Sequence, residues 1–183
     1  MTEPNNKVMP LPLWLYVLGL VLFMYLFFTI LRFSADTPGN ILLAGMYFIE
    51  FGVHEASHLI VMFLPPVLVA AAGSVGEISF VALMTYAAVK AKSYFAACFT
   101  GLWLMLAFRS VGLYMADARA QQLPLLGPGE TVQHDWNFVF SQLGWLNADV
   151  FIGTVVQAIG VVIGIISLLG AFYLVYRKQT RQF

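Results

Sequence analysis

The residues best suited to chemistry are His54-Glu55-Ala56-Ser57-His58, an HExxH pattern. On a helix, positions four apart share a face. Both imidazoles can then reach one metal ion while the adjacent carboxylate holds a metal-bound water. Zinc brings the pKa of such a water to about 7, and Glu55 can take its proton as general base. Three His and five Glu shuffled through 183 residues would produce the pattern roughly 0.001 times. The inert alternative is a set of polar side chains packed at a helix interface. That alternative is costly: Glu50, His54, Glu55 and His58 fall within nine residues of an apolar run. A charged Asp, Lys or Arg at the centre of a membrane helix costs about 2.5–3.5 kcal/mol on insertion scales. A metal or a wet cavity would remove most of it.

A catalytic zinc takes three protein ligands and keeps a water position open. His134, the only other histidine, is favoured for the third place, with Asp117 next and Glu77, Asp135 and Asp149 behind them. The plainer reading of His134 is a surface histidine beside a helix-capping Asp135. Glu50, one turn before His54, could accept that histidine's second ring N–H, or could be a buried neutral acid. Glu77 stands between Gly73 and Gly76 on one side and an apolar run on the other; the glycines would let the backbone approach the site. Arg109 could pair with Glu77 or Glu50, and Arg119 with Asp117 or a lipid phosphate. Gly160-x-x-x-Gly164 marks a helix in close contact with a neighbour.

The elements that carry these residues must sit in lipid. The chain is 61% hydrophobic and 10% charged, against about 45–50% and about 25% in ordinary globular chains. A soluble core of this length could not hide so much apolar surface. The formal charge is zero, so no field points to nucleic acid. One cysteine, Cys98, excludes an intramolecular disulfide and a cysteine-based zinc ribbon.

The reading is all-α: a polytopic membrane bundle forming one domain over residues 1–183. Five stretches are long enough to cross, at about 11–31, 41–64, 67–89, 94–115 and 150–176. The first reads as an anchored helix, not a cleaved signal peptide. The pair Pro65-Pro66 makes one tight hairpin and Lys90 to Ser93 another. The connection at 116–149 begins as loop, Leu-Pro-Leu-Leu-Gly-Pro-Gly, and ends with Val132, Trp136, Val139, Phe140, Leu143 and Leu146 at helical spacing. That second part reads as an interfacial or re-entrant helix on the outer leaflet. With the C-terminus cytoplasmic, Arg32, Lys90, Lys92, Arg177, Lys178 and Arg181 lie inside, with Lys7 and Arg119 outside. The six-to-two bias predicts N-terminus out, C-terminus in, and the site in the outer half of the bilayer.

With HExxH inside a span, the sequence resembles the integral-membrane zinc metalloproteases of the site-2 protease type. The resemblance implies His54 and His58 as zinc ligands and Glu55 as base. That family's third ligand is an Asp in a Leu-Asp-Gly setting of a later span; here the nearest Asp is Asp117, in Ala-Asp-Ala-Arg. The combination of HExxH, Ala-Asp-Ala-Arg-Ala, Leu-Pro-Leu and His134-Asp135-Trp136 also looks like a group of bacterial membrane proteins, implying a bacterial inner membrane. The family's site faces the cytoplasm, whereas the charge count turns this one outward.

The leading function is therefore a zinc peptidase acting on a transmembrane or membrane-adjacent peptide. The second is a zinc hydrolase of a lipid amide or ester, because an outer-leaflet site meets membrane lipid as readily as peptide. A non-catalytic metal-binding subunit is the third. Glu55-Ala-Ser-His58 is a single Glu-x-x-His pair where a di-iron bundle needs two. Haem ligation by either histidine leaves Glu55 without a role.

Overall fold

The computed structural model describes residues 12–34, 40–124 and 133–180. Lys7, Arg181, Val132 and the Gly-Pro part of the outer connection lie outside the described residues. The architecture is all-α, with no strand among the described residues. The helices are α1 (Leu13–Leu31), α2 (Ile41–Ile60), α3 (Pro66–Lys90), α4 (Tyr94–Ala116), α5 (Asp135–Leu143) and α6 (Asp149–Thr180). In lipid no water satisfies a free backbone N–H or C=O, so apolar runs of this length become helices. Pro66 starts α3 at the position where a missing N–H costs nothing. The Asn40 side chain caps α2 by accepting from Leu43 N at 2.8 Å. Gly144 ends α5 at φ 69°, a left-handed conformation that glycine adopts without penalty.

Four helices, α1, α3, α4 and the run ending in α6, are long and apolar enough to cross a membrane. Five crossings were expected. α2 has the length, but its four ionisable residues remove the hydropathy. It turns those residues toward α3 and α4 and leaves Ile41, Phe48, Leu59 and Ile60 exposed.

The centre of the bundle is α4, where Leu102, Met105, Leu106 and Ala107 are fully buried. Along α6, glycines bring the two backbones together: a Cβ on Gly112 would lie 2.6 Å from the Gly153 carbonyl oxygen. Gly160 and Gly164 meet Met105 and Phe108 in the same seam, as their spacing implied. Outside the seam, Arg119 meets the buried Asp149 at 2.8 Å, joining the end of α4 to the start of α6. Arg119 thus takes Asp149 as its partner in place of Asp117.

The direction of α1 corrects the expected topology. Tyr16 packs on Phe95 at the start of α4 (5.1 Å between ring centroids), and Lys178 near the end of α6 lies over the Tyr16 ring. At the other end of α1, Arg109 donates to the Leu31 carbonyl at 3.0 Å. α1 therefore runs parallel to α4, and its N-terminal end shares one face of the bundle with the C-terminal end of α6. An N-out, C-in arrangement would need those two ends on opposite faces. Phe33 meets Tyr47, and Asn40 meets Tyr25 in the middle of α1, so α2 also starts partway along α1 and runs the same way. The expectation differed because it counted α2 as a full crossing; the four helices long and apolar enough to span do alternate. Reporters fused at the two chain ends should read the same side of the membrane, and one inserted near Gly129 the opposite side. Opposite readings from the two termini would reject this arrangement.

Candidate metal centre

The centre forms where α2 and α3 run antiparallel at the α4 C-terminal end of the bundle, under α5. Gly73 faces the imidazole of His54, and any Cβ there would fall on the ring. Gly76 stands against Ser57 in the same way. The close approach expected of these glycines is present, and it fits α3 against the face of α2 that carries His54 and Ser57.

His54, His58 and Asp135 form a group that could hold a metal ion, each offering one ligand atom within 4.8 Å of the others. Asp135 Oδ2 lies 3.1 Å from His54 Nε2 and 3.4 Å from His58 Nε2. Two ligands about 2.1 Å from a tetrahedral zinc are about 3.4 Å apart, so the spacing fits that ion. Both histidines present Nε2 because Nδ1 is engaged elsewhere. His58 Nδ1 donates to the Val69 carbonyl at 2.8 Å. His54 Nδ1 faces Glu77 Oε2 at 3.5 Å. Both outer partners come from α3.

The third place was expected for His134 or Asp117; in the structure Asp135 is the acid that stands beside His54 and His58. His134 is the N-cap of α5, and its Nδ1 accepts from Asn137 N at 3.2 Å. Its proton is then on Nε2, which points at Asp117 Oδ2, 3.5 Å away. Burial favours the uncharged ring, as this cap requires. Asp117 is occupied in turn, accepting from Gln122 N and Leu123 N at 2.9 and 3.0 Å in the turn after α4. The two favoured candidates face each other across 3.5 Å, and neither belongs to the His54, His58 and Asp135 group. A signal for Asp135 existed in the sequence: four residues before Val139, it lies on the stripe by which α5 docks.

That docking is specific. Trp136, Val139 and Phe140 are buried against Ala70, Ala71 and Tyr114. Trp136 Nε1 donates to Ser74 Oγ at 2.9 Å, and Asn137 Nδ2 donates to the Ala118 carbonyl at 2.8 Å. Tyr114, stacked on His134 at 4.2 Å, accepts from Asp135 N at 3.0 Å and donates to its carboxylate at 3.4 Å. The segment expected as an interfacial or re-entrant helix is packed on α3 and α4, over the bundle mouth.

Glu55 follows His54 at the rim, half-buried, with no hydrogen bond or ion pair to another described residue. Its carboxylate is free to hold a water. Glu50 is fully buried one turn deeper, with Ser110 Oγ 3.5 Å from Oε2; Glu77, not Glu50, takes the place behind His54. Arg109 reaches neither acid. It donates to Gln157 Oε1 at 3.0 Å and to the Leu31 carbonyl.

The fold and site define an all-helical membrane bundle with a His–His–Asp group at one mouth. No family model, curated protein or solved structure matches the chain.

Proposed function

We propose that the protein is a membrane-embedded zinc-dependent hydrolase, acting first on peptide bonds in or beside the membrane. The reading rests on one observation: a carboxylate oxygen of Asp135 lies 3.1 and 3.4 Å from the Nε2 atoms of His54 and His58, next in the chain to an unengaged Glu55. His54, His58 and Asp135 would hold the ion. Bound zinc would supply a water with a pKa near 7 and polarise the scissile carbonyl. Glu55 would serve as general base toward that water and return the proton to the leaving group. Tyr114 and α5 keep Asp135 aimed at the centre and limit access of bulk water.

Lys90, Lys92, Arg177 and Lys178 lie at the end of the bundle away from the site, and Arg32 and Arg119 lie toward the site end. The basic excess favours a cytoplasmic position for the first group. Both ends of the bundle's chain would then be inside, and the site would open outward. A lipid amide or ester is the second substrate class. It is favoured by the lack of any strand among the described residues, because an extended peptide is most simply held by pairing to a strand edge.

Glu55→Gln keeps the shape of the side chain and removes the base. It is expected to retain stoichiometric zinc and to lower hydrolysis by about 10²–10⁴-fold, measured on panels of single-span peptides and of acyl-lipid vesicles. Wild-type turnover by this variant would reject the mechanism.

A further inference from the structure

Glu77 is buried, lies behind a proposed ligand, and has no task in hydrolysis. It sits on α3 one turn below Gly73, the residue whose missing side chain makes room for the His54 ring. Its Oε2 is 3.5 Å from His54 Nδ1, opposite the ring nitrogen that faces Asp135. Arg109 of the adjoining α4 donates to α1 and α6 and not to Glu77. His58 has the equivalent outer partner in a neutral backbone carbonyl, that of Val69. The two ligands are thus built alike in geometry and unlike in charge.

We infer that Glu77 is a positioning residue of the centre: it fixes the tautomer and ring angle of His54 and, through the ring, strengthens Nε2 as a metal donor. The inference rests on the metal-centre reading above. A carboxylate accepting the outer N–H of a ligand histidine makes that imidazole more basic, and removing such a partner typically lowers metal affinity 10–100-fold. The asymmetry has a consequence for the site. His54 is the strong, fixed donor next to Glu55. His58, held by a carbonyl, is the weaker one.

The test uses the full chain in detergent, titrated with zinc against a competing chelator, and then with cobalt, whose visible absorption reports ligand geometry. Glu77→Gln keeps an acceptor oxygen and removes the charge; Glu77→Ala removes both. Zinc affinity should fall about 10–100-fold in Glu77→Gln and further in Glu77→Ala, with an altered cobalt spectrum. Glu50→Gln, a change of the neighbouring buried acid, should stay within about threefold of wild type on the same scale of effects. Wild-type affinity in both Glu77 variants would overturn the inference while leaving the centre standing. So would equal losses in Glu50→Gln and Glu77→Gln, since that pattern reports general damage to the polar interior. Wild-type protein that binds no zinc would overturn the centre itself.

Discussion

Asp135→Asn is expected to lower zinc affinity at least about 100-fold, more than loss of an outer partner does, while His134→Ala and Asp117→Ala keep stoichiometric metal. Asparagine matches aspartate in size and can still sit at the first residue of α5. What it loses is the negative oxygen that lies within 3.4 Å of both imidazole Nε2 atoms. His54 and His58 alone would leave the ion two protein ligands, short of the three that catalytic zinc sites use. His134→Ala acts on a different quantity. It removes the cap on Asn137 N and the stack on Tyr114, which costs about 1 kcal/mol for the cap and loosens α5. Competition titration of the three variants separates the cases. Retained zinc in Asp135→Asn with loss in His134→Ala would restore the histidine as third ligand.

What was legible before the fold was known follows from the range of each interaction. The His54/His58 pair is local, set by one turn of helix, and needs no tertiary information. The apolar runs were equally plain, because lipid leaves an apolar backbone few alternatives to helix. Asp135 is 81 residues from His54 along the chain, and its place depends on how α5 lands. That landing is fixed by Trp136 on Ser74 and Asn137 on Ala118, contacts that no periodicity contains. The partner of His54 Nδ1, for which Glu50 was one option, depended on tertiary packing in the same way. Glu50 shares its helix stripe, but Gly73 opens the space beside the ring on the α3 side, so the imidazole meets Glu77. The direction of α1 was hidden because α2 has the length of a crossing, and counting it as one reverses α1; Arg32 gives no signal against this, since reversing α1 only exchanges it with Lys7. In the folded chain Arg32 lies just past the Leu31 carbonyl, which Arg109 of α4 caps toward the site end.

Zinc is expected to protect the backbone amides of α5 from hydrogen exchange by up to about a thousandfold, and to leave those in the middle of α6 unchanged. α5 has nine residues, too few to be stable alone, since isolated helices below about 12–15 residues are marginal in water. Its burial on α3 and α4 holds it in place, and Asp135 joins it to α2. With an ion on His54 and His58, opening α5 would also give up the third ligand. Opening is then penalised by the affinity difference between the closed and open sites. At an ion concentration 1,000 times Kd the linkage limit is about 4.1 kcal/mol, which corresponds to the thousandfold figure. Exchange measured in lipid nanodiscs, with zinc and after chelation, reads this directly. Asp135→Asn should abolish the response, because α5 no longer shares the ion. Glu55→Gln should preserve it, because the base is not a ligand. Exchange in α5 that is indifferent to zinc in protein shown to bind it would mean that the ion sits on α2 without Asp135. The bundle mouth would then be closed by packing alone.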